Sequence, residues 1–92
     1  MEKLNKLLSE ANIDHEFFIK QFSRGNTTWY EGCVEYKVNG ITIFMAMCDD
    51  CDNVEIYDFS DGTGKCTPFF TPESAFELIS NFNRQLKYLA II

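Results

Sequence analysis

Two runs of alternating apolar residues flank the dipeptide Asn39-Gly40. Asn-Gly between such runs is the strongest local signal for a β-hairpin, because a type I′ turn needs a positive φ at both central residues. We therefore predict a hairpin over residues 30–47 that turns at these two positions. A regular register gives this hairpin one strongly apolar face, which another element must cover. Its members are Tyr30, Val34, Tyr36, Val38, Ile41, Ile43, Met45 and Met47.

The opposite face of the predicted hairpin mixes aromatic residues with carboxylates. This mixture is typical of protein-recognition surfaces, because aromatic anchors supply binding energy and flanking charges supply orientation. The alternative is that another segment covers the aromatics, since monomers seldom expose a large apolar patch. The partner-binding residues predicted on this face, on the preceding strand and in the acidic turn after the hairpin are Trp29, Phe44, Phe22, Glu31, Glu35, Asp49, Asp50 and Asp52.

The N-terminal part of the chain predicts a helix and one more strand. Leucines at spacings of three and four predict an amphipathic helix over residues 2–11, with Asn12 as a residue able to end it in a left-handed conformation. Residues 16–22 predict a strand that turns at Gly25-Asn26. The opposite-charge and aromatic pairs that this turn creates would each contribute about 0.2–1 kcal/mol over alanine pairs. The predicted pairs are Phe17 with Val34, Phe18 with Cys33, Lys20 with Glu31, and Phe22 with Trp29.

The C-terminal part predicts more sheet and a closing helix. Residues 54–59 predict a strand, and a four-residue loop before it, which we favour over a five-residue loop, places Val54 and Ile56 on the covered face. Residues 65–70 predict a short edge strand. Thr71 followed by Pro72 is a typical helix start, and the apolar stripe beyond it suits a helix that covers the hairpin. The expected fold is α+β in one compact domain over residues 1–92: an N-terminal helix, an antiparallel meander of about four strands, and a C-terminal helix packed on one sheet face.

The charge balance restricts the classes of partner. The 92 residues carry 14 acids and 8 bases, a net charge of −6, which opposes binding to nucleic-acid phosphates. No apolar stretch resembles a signal peptide or a membrane span, so we expect a cytoplasmic protein that does not bind membranes. Residues 49–61 contain six acids and no Lys or Arg; they are either a solvated turn region or a docking patch for a basic partner.

The four cysteines and the single histidine are the candidates for chemistry. One Cys-x-x-Cys, Cys48 and Cys51, stands between Cys33 and Cys66, and a zinc site would need all four to converge. We favour reduced thiols over zinc, and zinc over disulfide or redox chemistry. His15 lies beside two acids, but sequence neighbours on an extended strand point in different directions, so we expect a surface histidine and no catalytic residue.

The leading hypothesis is a small, acidic, non-enzymatic module that binds a protein partner with a basic or mixed surface. In size, acidity and lack of an assembled catalytic constellation, the chain is similar to the small inhibitor proteins that phages and mobile elements carry against host defence systems. That similarity, which is one of composition and not of motif, implies a protein that occludes a basic surface of a host protein in the host cytoplasm. The alternatives are a zinc-stabilised structural module and a small enzyme or nucleotide-binding domain. An uncovered edge strand would also permit a homodimer.

Overall fold

The computed structural model describes residues 1–48 and 53–91 and confirms the α+β fold class. An N-terminal helix precedes a five-stranded antiparallel meander in the order β1-β2-β3-β4-β5, and a C-terminal helix packs on the sheet. The fifth strand is the segment in which the sequence predicts a short edge strand. The elements are α1 (Glu2–Glu10), β1 (Glu16–Arg24), β2 (Thr27–Val38), β3 (Ile41–Cys48), β4 (Val54–Asp58), β5 (Lys65–Phe70) and α2 (Pro72–Ile91).

Both predicted two-residue turns are confirmed by their backbone angles. Asn39 and Gly40 have φ values of 54° and 80°, the pair of positive values that a type I′ turn requires. Gly25 has a φ of 62°, and the strands on either side of it pair in the predicted register from Phe17 with Val34 to Phe22 with Trp29. The β1–β2 hairpin was therefore predictable residue by residue.

Helix α1 ends at a left-handed residue, as the sequence predicts. Asn12 has a φ of 57°, its N–H donates to the carbonyl of Ser9 at 3.1 Å, and the N–H of Ile13 donates to the carbonyl of Leu8 at 3.0 Å. These two bonds form a Schellman motif, which satisfies carbonyls at the end of the helix. Ile13 and Leu8 are both buried, so the motif also directs the chain back into the core.

The second hairpin departs from the predicted register at one residue. Val38 pairs with Ile41 and Lys37 with Thr42, as expected, but Tyr36 pairs with Phe44. Ile43 is the extra residue of a β-bulge, and its carbonyl accepts a 2.8 Å hydrogen bond from the N–H of Phe59. A single inserted residue exchanges the two faces of every position that follows it in the strand.

This exchange corrects the predicted face of Phe44. Phe44 and Ala46 lie on the face covered by the helices, and Phe44 is only 2% exposed. Met45 and Met47, predicted for the covered face, lie on the other one, where they line a groove. Phe44 is therefore a core residue, and its predicted place among exposed binding residues is wrong. The predicted covering of Tyr30 and Ile41 is also wrong, because these side chains are 67% and 65% exposed.

The loop between β3 and β4 is one residue longer than predicted. Cys48 pairs with Val54, so five residues separate these strands and not four. Val54 and Ile56 nevertheless lie on the covered face, as predicted, and both are buried. Side chains of a strand alternate between the two faces, so one inserted residue moves the following side chains to the other face and a second inserted residue moves them back. The extra residue in β3 and the extra residue in the loop therefore leave β4 on its predicted face.

One cluster of buried side chains joins the helices to the sheet. Its members are Leu4, Leu8, Ile13, Val34, Tyr36, Phe44, Ala46, Val54, Ile56, Ala75 and Ile79. On α2, the ring of Phe82 meets the rings of Tyr36 and Phe44 edge-on, with centroid distances of 6.1 and 5.4 Å.

The start of α2 is fixed by Thr71, whose Oγ1 accepts a 3.1 Å hydrogen bond from the N–H of Ser74. Within the described part of the chain, neither helix has the length and apolar character needed to cross a membrane.

Candidate functional site

The helices contribute to the core on one side of the sheet, and among residues 1–48 and 53–91 no helix covers the other side. Alternation from Val34 and Tyr36, which are buried under the helices, assigns the odd-numbered residues of β2 to this second side. We call it the open face. Its principal side chains are Phe18, Lys20, Phe22, Trp29, Glu31, Cys33, Glu35, Thr42, Met45, Met47, Glu55 and Tyr57.

An aromatic pair occupies the part of the open face nearest the β1–β2 turn. The rings of Phe22 and Trp29 stack with their centroids 6.0 Å apart and an interplanar angle of 17°. The indole Nε1 of Trp29 donates a 3.1 Å hydrogen bond to Oε1 of Glu31, and the Nζ of Lys20 lies 5.4 Å from the centroid of the Phe22 ring. Trp29 remains 36% exposed. Its ring is therefore held in one orientation while part of it still contacts solvent.

A groove of about 430 Å³ crosses the central strands of the same face. Its apolar lining comes from Met45, Met47, Tyr57 and Phe59, and Lys20, Glu35 and Thr42 supply polar groups. Methionine side chains adapt to irregular apolar surfaces and are common where a protein binds a partner. The groove therefore combines an adaptable apolar lining with charged groups of both signs.

The carboxylate of Glu35 is held in a fixed position beside this groove. Its Oε2 accepts a 2.6 Å hydrogen bond from Thr42 Oγ1, and its Oε1 lies 3.4 Å from the Nζ of Lys37. The same Nζ lies 3.7 Å from Oε2 of Glu16, the cross-strand neighbour of Glu35. Lys37 thus compensates for the like-charge pair that the β1–β2 register creates.

A second carboxylate lies on β4 with two donors. Oε1 of Glu55 accepts hydrogen bonds from the hydroxyl of Tyr57 at 3.1 Å and from the thiol of Cys66 at 2.8 Å. The hydrogen bond to Glu55, followed by desolvation, raises the pKa of Tyr57 from 10.0 to about 12. Glu55 and Tyr57 are thereby fixed relative to each other at the β4 side of the open face.

The structure brings four of the predicted partner-binding residues together. Trp29, Phe22, Glu31 and Glu35 share the open face. Phe44 does not, for the reason given above, and Asp49, Asp50 and Asp52 lie outside the described residues. Met45, Met47 and Tyr57 also belong to this surface but are not among the predicted binding residues. The bulge at Ile43 moves the two methionines here from the face predicted for them.

Two carboxylates of the acidic stretch have structural partners in the turn after β4. Oδ1 of Asp58 accepts hydrogen bonds from the N–H and hydroxyl of Ser60 at 2.9 and 2.6 Å. Oδ1 of Asp61 accepts from the N–H and hydroxyl of Thr63 at 3.0 and 2.7 Å, and these bonds lower the pKa of Asp61. Side-chain bonds of this kind stabilise turns, so these two acids already have a local role.

A regular register of the β2–β3 hairpin would place positions 33 and 48 on the same face, which would favour a shared zinc site. After the bulge, Cys33 pairs with Met47 and the backbone of Cys48 pairs with Val54, so the register no longer places these two positions on one face. Cys33 is fully buried, and burial is the main cause that raises the pKa of its thiol. Among the side chains that the structure describes, no three His, Cys, Asp or Glu groups converge as a metal site requires. Cys51 lies outside the described residues, so zinc binding by Cys33, Cys48, Cys51 and Cys66 stays a prediction.

His15 contacts groups that belong to the fold. Its Nδ1 lies 2.7 Å from the carbonyl oxygen of Ile13, and its Nε2 lies 2.6 Å from Oδ1 of Asn5 on α1. The imidazole therefore joins α1 to the segment that leads into β1.

Comparison of the chain with protein-family models, with curated proteins and with solved structures gave no match.

Proposed function

We propose that this protein is a non-enzymatic binding module whose open face binds a protein partner with a basic or mixed surface. The observation that carries the proposal is the stacked pair of Phe22 and Trp29, which lies on a side of the sheet without a helical layer and remains accessible. Tryptophan and other aromatic side chains provide a large share of binding energy at protein interfaces. An oriented, accessible indole is therefore a suitable anchor.

The apolar groove adds contact area beside this anchor. Its lining includes Met45 and Met47 on β3, the strand that pairs with the one that carries Trp29. A partner side chain placed in the groove would remove these methionines from water, a gain of about 25 cal/mol for each Å² of apolar surface buried. The aromatic pair and the groove together resemble the arrangement of an interface, in which apolar anchors are surrounded by polar groups.

Charge supports a basic partner over an acidic one. The net charge is −6, and Glu31, Glu35 and Glu55 lie on or beside the open face. Opposite charges across an interface raise the association rate and exclude wrongly charged partners. In its most specific form, the proposal is a phage or mobile-element inhibitor that covers a basic surface of a host protein in the cytoplasm.

Two adjacent aromatic residues provide a matched test. Trp29 and Tyr30 are neighbours in β2, both exposed, but they lie on opposite faces of the sheet. The tagged protein is used to capture partners from a bacterial lysate, the captured protein is purified, and its affinity is then measured by calorimetry. We expect Trp29→Ala to weaken binding about 30-fold or more, as for an interface hot spot, and Tyr30→Ala to change it less than about threefold.

The charge of the open face is tested with Glu31→Gln, which keeps a side-chain oxygen that can accept the hydrogen bond from the Trp29 indole. Glu31→Gln should slow association with a basic partner, and added salt should weaken the wild-type complex more than the Glu31→Gln complex. Equal effects of Trp29→Ala and Tyr30→Ala, or a larger effect of Tyr30→Ala, would remove the open face as the binding surface. An affinity that does not respond to salt or to Glu31→Gln would contradict a basic partner.

A further inference from the structure

The first strand of the sheet is an edge that can accept another strand. β1 has nine residues, contains no proline, and pairs with β2 without irregularity. The opposite edge, β5, has six residues, contains Pro68, and has a register shift in its pairing with β4. Long regular edges pair readily with other strands, whereas proline and bulges prevent such pairing. β1 is therefore the edge of this sheet that is open to association.

The turn that follows β1 determines which of its backbone groups point outward. Arg24 and Thr27 flank the two-residue turn, so they form the hydrogen-bonded pair next to it. Bonded and non-bonded pairs alternate along antiparallel strands. The residues of β1 whose N–H and C=O groups point away from β2 are therefore Phe17, Ile19, Gln21 and Ser23.

We propose that two copies of this chain associate through β1, antiparallel about a two-fold axis at Lys20, to form one continuous sheet. In this register Ile19 lies opposite Gln21 of the second copy, and Phe17 lies opposite Ser23 of the second copy. Every outward-pointing residue thus meets another outward-pointing residue, which the hydrogen-bond pattern requires. Ile19, which is 60% exposed in one chain, becomes covered by the second.

The side chains of β1 are self-complementary in the same register. Glu16 at one end of the strand lies opposite Arg24 at the other end of the second copy, so two opposite-charge pairs form. Phe18 lies opposite Phe22 of the second copy on the open face. Cross-strand pairs of these kinds stabilise antiparallel sheets. A shift of two residues in either direction keeps the hydrogen-bond pattern but separates Glu16 from Arg24 and shortens the overlap.

The two Lys20 residues meet at the axis, where like charges would oppose association. The position of the Lys20 side chain limits this repulsion. Its Nζ lies 5.4 Å from the centroid of its own Phe22 ring, and its cross-strand neighbour in β2 is Glu31. The ammonium group is thus directed along the strand, and each copy supplies a carboxylate near the axis.

This association does not require a partner on the open face. A two-fold axis perpendicular to the sheet keeps both open faces on the same side. The dimer would therefore present two Trp29 anchors on one continuous surface. Loss of the dimer and loss of partner binding are distinguishable, because Ile19 alternates with the open-face residues of β1 and so lies on the other face, whereas Trp29 is on β2.

Sedimentation velocity over a range of protein concentrations measures the proposed association. We expect a monomer–dimer equilibrium for the wild type and a monomer for Ile19→Pro, since proline at this position removes an outward N–H and leaves the bonds to β2 in place. Thermal unfolding checks that the variant is folded. A wild type that stays monomeric at every concentration, or a dimer that persists in Ile19→Pro, would overturn the proposal, and so would a monomer that instead captures an extended peptide on β1.

Reversal of the end charges tests the register. Glu16→Arg and Arg24→Glu should each weaken the dimer about tenfold or more, since each change affects both symmetric pairs. The double variant should recover most of the wild-type association. Glu16 also contacts Lys37 within its own chain, but the double variant does not restore that contact, so recovery reports the pairing between copies. Two weakened single variants without recovery would contradict the register.

Discussion

The hydroxyl of Tyr36 donates a 2.8 Å hydrogen bond to Oδ1 of Asn83, which joins the C-terminal part of β2 to α2. Tyr36 is buried, and its ring packs against Phe44 on the sheet and Phe82 on the helix. Burial, with a smaller contribution from Asp14, raises the pKa of the Tyr36 hydroxyl. The folded protein therefore favours the neutral hydroxyl of Tyr36. Its hydrogen bond holds α2 against the covered side of the sheet.

Removal of either partner of this bond should destabilise the protein. We expect Tyr36→Phe and Asn83→Ala each to lower the free energy of unfolding by about 1 kcal/mol, because the hydrogen bond is lost and the remaining polar group loses its partner. Asn81→Ala is the matched control, since Asn81 is an exposed residue of the same helix. Urea unfolding of the single and double variants gives a coupling energy, and additive effects would show that the bond does not stabilise the fold.

The bulge at Ile43 predicts opposite outcomes for two consecutive residues. Phe44→Ala should cost about 3–5 kcal/mol, because it leaves a cavity beneath α2. Met45→Ala should cost less than about 1.5 kcal/mol, because Met45 lines a groove on the open face. Chemical denaturation measures both values. A regular hairpin without the bulge would give the reverse order, so the comparison decides between the two registers.

The contrast between the two hairpins shows what the sequence could predict. The β1–β2 register followed from Gly25-Asn26 alone, because no residue is inserted between Phe17 and Arg24. The β2–β3 turn was equally clear, but Ile43, Met45 and Met47 are as apolar as the residues they were predicted to join. Their hydrophobicity therefore gave no preference between two registers one residue apart. The choice depends on tertiary contacts, including the fit of Phe44 beneath Phe82 and the hydrogen bond from Phe59 to the Ile43 carbonyl.

The candidate site was predictable only where it depends on the first hairpin. Trp29 and Phe22 were paired correctly because both lie in strands with a regular register. The face of Tyr57 follows from the predicted covering of Val54 and Ile56, but that prediction was right only because the bulge and the longer loop offset each other. In a meander, each unpredicted insertion shifts the register of the strands that follow it by one residue. The predicted face of every side chain in those strands then depends on how many insertions precede it.

The raised pKa of Tyr57 predicts how the stability of the protein depends on pH. Its folded pKa of about 12 lies above the ordinary value of 10.0, so the folded state retains the proton longer than the unfolded chain does. The stabilisation from its contact with Glu55 is therefore complete below pH 10.0 and is lost as the pH rises through about 12. Tyrosinate absorbance, compared with that of Tyr57→Phe, isolates this group. Glu55→Gln should return the pKa of Tyr57 towards 10.0, whereas the control Glu31→Gln should leave it unchanged, and an ordinary titration in the wild type would contradict the contact.

The burial of Cys33 predicts the pattern of thiol reactivity on the open face. Cys33 is fully buried between its cross-strand neighbours Phe18 and Met47, whereas Cys66 is exposed. Burial also raises the pKa of Cys33, so less of the reactive thiolate is present at neutral pH. Alkylation followed by mass spectrometry of peptides should therefore show slow modification of Cys33 in the folded protein and rapid modification in denaturant. Met47→Ala should speed the reaction of Cys33 without changing that of Cys66, because it removes the cross-strand neighbour on β3. Rapid modification of Cys33 in the folded wild type would show that this part of the open face is not packed.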